Sequence, residues 1–528
     1  MSTAAVASPA PAAPPPMDSH RAGRFDDFSD KLSPMLVKEL RQGLRAKTFV
    51  ILFLALQGLL AFVLLISVAA ADPQRAGFTV SKVIFFFFSL AVLVVQPLRG
   101  IGALHNEIKG NTIDLMVLTR LGAWRIVLGK WVAIVSQSGL LFTAIVPYLI
   151  LRYFFGGMNL FAELLLFVLI FLGSAVFTAF TVGISAIGPI LIRGLLPLFM
   201  AFGIFLGIWN IIFDRNELQQ LLEELTLQRT GAVWGLLAIL IGAGYLGWIA
   251  LGFGTSLIAP MAENHSTVRR LVALGAVITS GIIAHIGDFQ SETVLLMMCY
   301  FCIPTVILAL TERFELLPPI CRPFVRLGAL GKIGGRVLYP GWPSGVLFSG
   351  LLLLVAAGIY LSFPDARISR YGNPGMVKPE HVVCFVIIGS LFMPGLLLRL
   401  FGQKIRQNLA FYLLMAAIMA VVAVTLMVFH EANHRNGPIA WFFCWVPPVN
   451  LVLMNVTEYE HYRASGGSYS PPDYMPVLFS AMSSAGAYYV MLLVAAARAF
   501  RELRPIEEDA ASPPRPLTGH EPTPDPVP

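Results

Sequence analysis

Twelve apolar runs, each long enough to cross the core of a bilayer, constrain this chain more than any motif in it. They fall near residues 48–70, 80–98, 130–151, 161–187, 194–213, 232–258, 270–287, 293–311, 344–363, 381–401, 409–430 and 476–498. A helix rises about 1.5 Å per residue, so roughly twenty residues span a hydrocarbon core of about 30 Å. Composition points the same way. The chain is 57% hydrophobic and only 13% charged, where soluble domains carry about a quarter charged residues. The expected fold class is all-α: a polytopic transmembrane helical bundle of about twelve spans in two six-helix halves, residues 31–265 and 266–504.

The ends read differently. Residues 1–30 are rich in Ala and Pro, and residues 505–528 are Pro-rich and acidic. Both are expected to be disordered tails, because such segments bury too little apolar surface to fold. No cleavable signal peptide is evident, so the apolar run that begins near Phe49 is expected to act as the targeting signal.

Charge placement sets the expected orientation. With the N-terminus inside, 27 of the 37 Lys and Arg residues fall on the inner side, as the positive-inside rule requires. This predicts a multi-pass protein of the plasma (inner) membrane with both termini cytoplasmic. A further apolar stretch, 438–456, contains Pro447-Pro448. Two prolines remove two backbone donors and fix two φ angles, so a re-entrant or interfacial segment is expected. A full span there would move Arg498, Arg501 and Arg504 outside.

Two amphipathic stretches accompany the spans. After Ser33-Pro34, Leu36, Val37, Leu40 and Leu44 share one helical face, and Lys38, Arg41 and Arg45 the opposite one. Such a helix lies at the headgroup level with its cations toward anionic membrane lipids. In 214–230, Leu218, Leu221, Leu222 and Leu225 form a second stripe, expected on the outer side.

The loop between the second and third runs carries the most information. Pro97-Leu98-Arg99-Gly100 leads to Glu107, then to Gly110-Asn111-Thr112-Ile113-Asp114-Leu115, Leu118-Thr119-Arg120, Trp124-Arg125 and Leu128-Gly129-Lys130. Asn111 suits a helix cap, Asp114 suits the first turn, and Gly122 suits a stop. The result is a short, largely apolar helix on the cytoplasmic face, and that surface needs a cover of lipid or protein.

This pattern resembles the cytoplasmic loop of ABC-2-type permeases. It runs Glu107, Gly110, Thr112, Asp114 and Leu115, then Leu118-Thr119, then a helix opening with Leu128-Gly129-Lys130. The segment around Lys38-Glu39-Leu40-Arg41 is similar to that family's interfacial elbow helix. Ala259-Pro260 with Glu263-Asn264-His265-Ser266 also resembles the group. The resemblance covers roughly residues 31–270. Asp114 stands where Glu is commoner, and Asn111 where a small or polar residue is usual.

The resemblance implies a coupling helix that docks in a groove of a separate P-loop ATPase. Glu107, Asn111, Thr112, Asp114, Thr119, Arg120 and Arg125 would make polar contacts, and Ile113, Leu115 and Leu118 would fill the groove. Lys130 would snorkel to the headgroups at the start of the third span. It further implies a homodimer or a second permease, an amphiphilic substrate, and no nucleic acid partner. The chain would carry no catalytic, cofactor or metal site of its own, and no G-x-x-x-x-G-K-[ST] pattern occurs in it.

Two other readings stand beside this one. A twelve-span secondary transporter fits the span count, but the major-facilitator loop signature is missing and midplane charges are few; Glu163, His285, Glu292 and His430 all fall near span ends. A membrane-embedded metalloprotease or transferase would use His430-Glu431-Ala432-Asn433-His434, an H-E-x-x-H match, with Glu458, Glu460 or His461 as third ligand. Gly437-Pro438 stops any helix soon after the match. Cys299 and Cys302 form a C-x-x-C inside a span and read as small apolar residues. Phe85 to Phe88 read as lipid-facing or core. Gly173, Ser174, Ala175, Gly183 and Ser185 suggest close helix packing.

Overall fold

The computed structural model describes residues 34–69, 73–110, 122–153, 159–214, 217–259, 264–314, 316–367, 377–401, 408–433, 437–464 and 472–511. No strand occurs among them. Twelve of the described helices are long and apolar enough to cross a membrane, so the expected all-α polytopic bundle is present.

The chain opens with α1 (Pro34–Leu44), lying across the bundle, and α2 (Lys47–Ala69), the first span. The second span starts as α3 (Pro73–Ser89) and continues through a π-helical turn, Leu90–Val95, an α turn, Gln96–Leu98, and a 3-10 turn, Arg99–Gly102, to α4 (His105–Lys109). Pro97 explains part of this irregularity, since it has no N–H to donate. Spans three and four are α5 (Ala123–Tyr153) and α6 (Leu160–Ile184), and span five is α7 (Leu196–Phe213) with a leading π turn, Leu191–Leu195. The short α8 (Glu217–Glu224) precedes span six, α9 (Thr230–Ile258).

The second group begins with α10 (Ser266–Ile286) and α11 (Ser291–Thr311), followed by the short α12 (Pro318–Val325) and α13 (Gly328–Leu338). Spans nine to eleven are α14 (Trp342–Ser362), α15 (Pro379–Phe401) and α16 (Asn408–Asn433). Then come α17 (Gly437–Phe442), α18 (Val449–Ala464), the last span α19 (Met475–Ala499), and α20 (Leu503–Ala511).

Span alternation puts α1, α4, α12, α13 and α20 at one end of the bundle, called here the elbow end. The linkers carrying α8, α17 and α18 are at the far end. Tyr245 and Ile249 of α9 share one core with Met298 and Phe301 of α11, and the Tyr245 hydroxyl donates to the Phe301 carbonyl at 2.6 Å. On its other side α9 meets α6 at glycine. A Cβ on Gly183 would sit 2.2 Å from the Ala250 carbonyl oxygen, and one on Gly254 would sit 2.8 Å from the Gly183 Cα. Of the small residues of the fourth run, Gly183 admits α9, whereas Gly173 and Ser174 meet span two: a Cβ on Gly173 would lie 3.0 Å from Leu93, and the Ser174 hydroxyl donates to the Val92 carbonyl at 2.6 Å. Span six thus belongs to the packing of both halves.

The phenylalanine run is core. Phe85 and Phe88 are buried and lie 4.5 and 5.1 Å from the Phe167 ring of α6. In α8, Leu218 is buried, with Leu221 and Leu222 packed beside it, as their stripe predicts. The 438–456 stretch is broken at Pro447-Pro448 into α17 and α18. Asn450 bridges the break by donating to the carbonyls of Cys444 and Pro447, at 2.9 and 3.2 Å.

One boundary differs from expectation. Residues 505–511, assigned by composition to a disordered tail, form most of α20. Leu503, Ile506 and Ala510 make an apolar face that packs with Leu316, Ile320 and Tyr339, and Glu507 pairs with Arg336 at 3.0 Å. The rest of both expected tails lies outside the described residues.

Candidate functional site

The elbow end of the first half is built around one ammonium. Lys130, in the second turn of α5, is buried, and its Nζ lies 3.0 Å from Glu39 of α1 and 2.8 Å from Glu107 of α4. Lys130 is 6% exposed, and the two carboxylates are 18% and 15% exposed. A buried ammonium is tolerated when carboxylates replace its water. Two carboxylates accept from two of its three N–H donors, and the ammonium ties three elements together.

This corrects one expectation. Lys130 does not snorkel to headgroups; it points inward to Glu39 and Glu107. Glu107 in turn contacts Lys130 through one carboxylate oxygen. The reason is geometric. On α1, Lys38, Arg41 and Arg45 are exposed as expected, while Glu39 is on the half-buried side toward α5.

The base of the loop is held from below. The Leu104 N–H donates to the Ser185 hydroxyl at 3.0 Å, and the Thr181 hydroxyl donates to the Pro97 carbonyl at 2.7 Å. Trp131 donates from its indole N–H to the Ala175 carbonyl at 2.8 Å. Leu104, Ile126, Val127, Ala179, Val182 and Leu251 close the small core beneath. Asn111, Thr112, Asp114, Leu115, Leu118, Thr119 and Arg120 lie outside the described residues, as does Ile113. Their flanks are described: Ile108, Lys109, Gly110, Gly122 and Arg125 are all exposed. The described flanks of residues 111–121 thus form an exposed rim above a base locked to α1, α5 and α6.

A second polar centre, at the elbow end of the other half, was not anticipated from sequence. Arg270 of α10 is 1% exposed and reaches Glu312, just past α11, at 2.6 Å. It also donates to the carbonyls of Val337 (2.9 Å), Tyr339 (2.6 Å) and Gly341 (3.0 Å). Arg269 pairs with the other Glu312 oxygen, and the Gly341 N–H donates to Glu312 at 3.1 Å. Burial alone would raise the Glu312 carboxyl, but the Arg270 and Arg269 charges and the Gly341 N–H outweigh it and hold it below the ordinary value. The pair Arg269-Arg270 reads in sequence only as inner-side charge. Glu312, one residue beyond an apolar run, was the available signal.

Arg399 and Asn408 complete this end. Arg399 donates to the Leu310 carbonyl at 2.6 Å and stacks over Trp342 at 4.2 Å, and Asn408 donates to the Thr311 carbonyl at 3.2 Å. They satisfy carbonyls that the end of α11 would otherwise leave open.

At the far end, Glu163 is buried and accepts a hydrogen bond from Ser81 at 3.3 Å. His285 stacks on Phe363, their ring centroids 4.1 Å apart. His430 lies edge-on to Tyr459, 5.8 Å between centroids, while His434 lies outside the described residues. Among the described residues no three His, Cys, Asp or Glu side chains gather as a metal set. No family model, curated protein or solved structure matches this chain.

Proposed function

We propose that this protein is the membrane subunit of an ATP-driven ABC-type transporter, an exporter of an amphiphilic substrate. It works in the plasma (inner) membrane with both termini inside, as a homodimer or beside a second permease. A separate P-loop ATPase docks on the segment 111–121 at the elbow end. The proposal rests on the ABC-2-like pattern of that loop, and the observation that carries it is the Glu39–Lys130–Glu107 triad. A loop that transmits force must be fastened to the helices it moves. Here the helix before the docking segment (α4) and the one after it (α5) are both joined to the elbow through one buried ion cluster. Closure of an ATPase pair beneath would then move α1, the end of span two and the start of span three as a unit.

The test is co-purification from native membranes. Wild type is compared with the double reversal Asp114→Arg and Arg120→Glu, in which the triad is untouched. A P-loop ATPase recovered with wild type and lost from the variant supports the reading. Absence of any ATPase after gentle extraction of wild type overturns it and returns the twelve-span secondary transporter to first place.

A further inference from the structure

A second cation at the elbow end lacks what Lys130 has. Arg99, at the 3-10 turn that ends span two, is partly buried, and among the described residues it has no carboxylate partner. Its Nη1 donates to the side-chain oxygens of Gln96 (3.1 Å) and Gln137. Its guanidinium also lies 6.0 Å from the Phe49 ring centroid. The nearby carboxylates Glu39 and Glu107 are both held by Lys130. A guanidinium carries five N–H donors, so among the described residues most of its donor capacity meets no acceptor.

The neighbouring amide repeats the imbalance. Gln96 is 0% exposed. Because its oxygen faces Arg99, its Nε2 is fixed as the other branch of the same amide, and Nε2 has no hydrogen-bond partner. A buried N–H without an acceptor is costly, and native structures rarely keep one. Here an orphaned donor adjoins an uncompensated cation. Gln137 adds the wall: it is 1% exposed and packs so tightly on the elbow that a Cβ at Gly43 would lie 2.1 Å from its Nε2.

We infer that Arg99 and Gln96, where the end of span two meets Phe49 of α2 and Gln137 of α5, form a site for a phosphate-bearing anion, which the lipid leaflet at the elbow end supplies as the headgroup of an anionic amphiphile. Guanidinium recognises phosphate through paired N–H donors, and the unpartnered Gln96 Nε2 lies beside them. The partial exposure of Arg99 leaves the free donors accessible from the membrane interface. This inference stands independently of the ATPase reading.

The test uses the full chain, purified in detergent and titrated with lipid under native mass spectrometry. Phosphatidylglycerol is compared with phosphatidylcholine for wild type, Arg99→Gln, Gln96→Glu and Arg229→Gln. Charged hydrogen bonds of this kind give about a ten-fold preference. Wild type and Arg229→Gln, which alters an exposed cation at the far end, should both show it. Arg99→Gln should lose it through loss of charge. Gln96→Glu should lose it because it hands Arg99 an internal carboxylate, and that variant should fold at least as well as wild type. A parallel arm adds inorganic phosphate: no displacement at millimolar concentration identifies the lipid headgroup, and full displacement identifies a free anion. Retention of the wild-type preference in folded Gln96→Glu, or its loss in Arg229→Gln, overturns the site.

Discussion

Lys130 and Glu39 meet at 3.0 Å although 91 residues separate them in the chain. The contact joins the elbow helix to the third span inside the protein. Glu107 reaches the same ammonium at 2.8 Å, so one nitrogen is the junction of three elements. Removing it leaves two carboxylates facing each other with little water. Lys130→Met should therefore cost about 3 kcal/mol, the usual loss when one partner of a buried ion cluster is deleted. Glu39→Gln or Glu107→Gln alone should cost less, because Lys130 keeps one carboxylate. Thermal unfolding followed by fluorescence-detected size exclusion would rank the three variants. An unchanged midpoint in Lys130→Met would show that the triad contributes nothing to stability.

The Glu312 centre makes acid stability predictable in sign. Its carboxyl is held below the ordinary 4.5 by Arg270 and Arg269 against the cost of burial. A depressed folded value means that the contribution is complete above the unfolded value and disappears as pH falls through the folded one. Wild type should therefore lose thermal stability on acidification from pH 5 downward, which is about where unfolded carboxyls begin to take up protons. Glu312→Gln should start less stable at neutral pH and show a shallower acid limb. Parallel limbs in the two proteins would remove Glu312 from the account.

Cys321 offers a chemical probe of the α12, α13 and α20 layer. Burial, with the Glu507 charge behind it, pushes its thiol up to about 11. Only the thiolate reacts quickly with maleimides. In folded protein at pH 8, Cys321 should remain unmodified, and it should react once the protein is denatured. Substituting Leu503→Asp, which breaks the seat of α20, should expose it without denaturant. Peptide mass spectrometry reads the site directly, and rapid labelling of the native wild type would contradict the packing described.

The crossing of α6 and α9 tolerates no side chain at Gly183. A Cβ there would stand 2.2 Å from a backbone oxygen that no rotamer can move. Gly183→Ala should cost about 1–3 kcal/mol, as overpacking does. Gly247→Ala, on α9 with only one atom at 4.0 Å, is the matched control and should be nearly neutral. Equal midpoints for the two variants would argue against the close crossing.

Much of the architecture was readable before any coordinates. Twelve apolar runs became twelve long helices because a bilayer offers the backbone no other way to satisfy its polar groups. Pro447-Pro448 broke the thirteenth apolar stretch for the reason anticipated, loss of donors. The leucines of α8 faced the core as their spacing implied. The tail boundary was misplaced because composition weighs the prolines and acids after residue 504, whereas Leu503, Ile506 and Ala510 form a face only when wound into a helix.

The candidate site was legible in its members but not in its pairings. Glu39, Glu107 and Lys130 each stand out in the sequence, but the sequence sends Lys130 to the headgroups, whereas packing turns it inward onto two carboxylates. Sequence determines helix length, amphipathic faces and the inward count of cations, because those depend on neighbours a few residues away. Which carboxylate meets which cation depends on contacts between helices. Only tertiary structure decided that Lys130 takes two acids, that Arg270 shares Glu312 with Arg269, and that Arg99 is left facing amides. Buried charge is settled by whichever partners packing brings within about 4 Å.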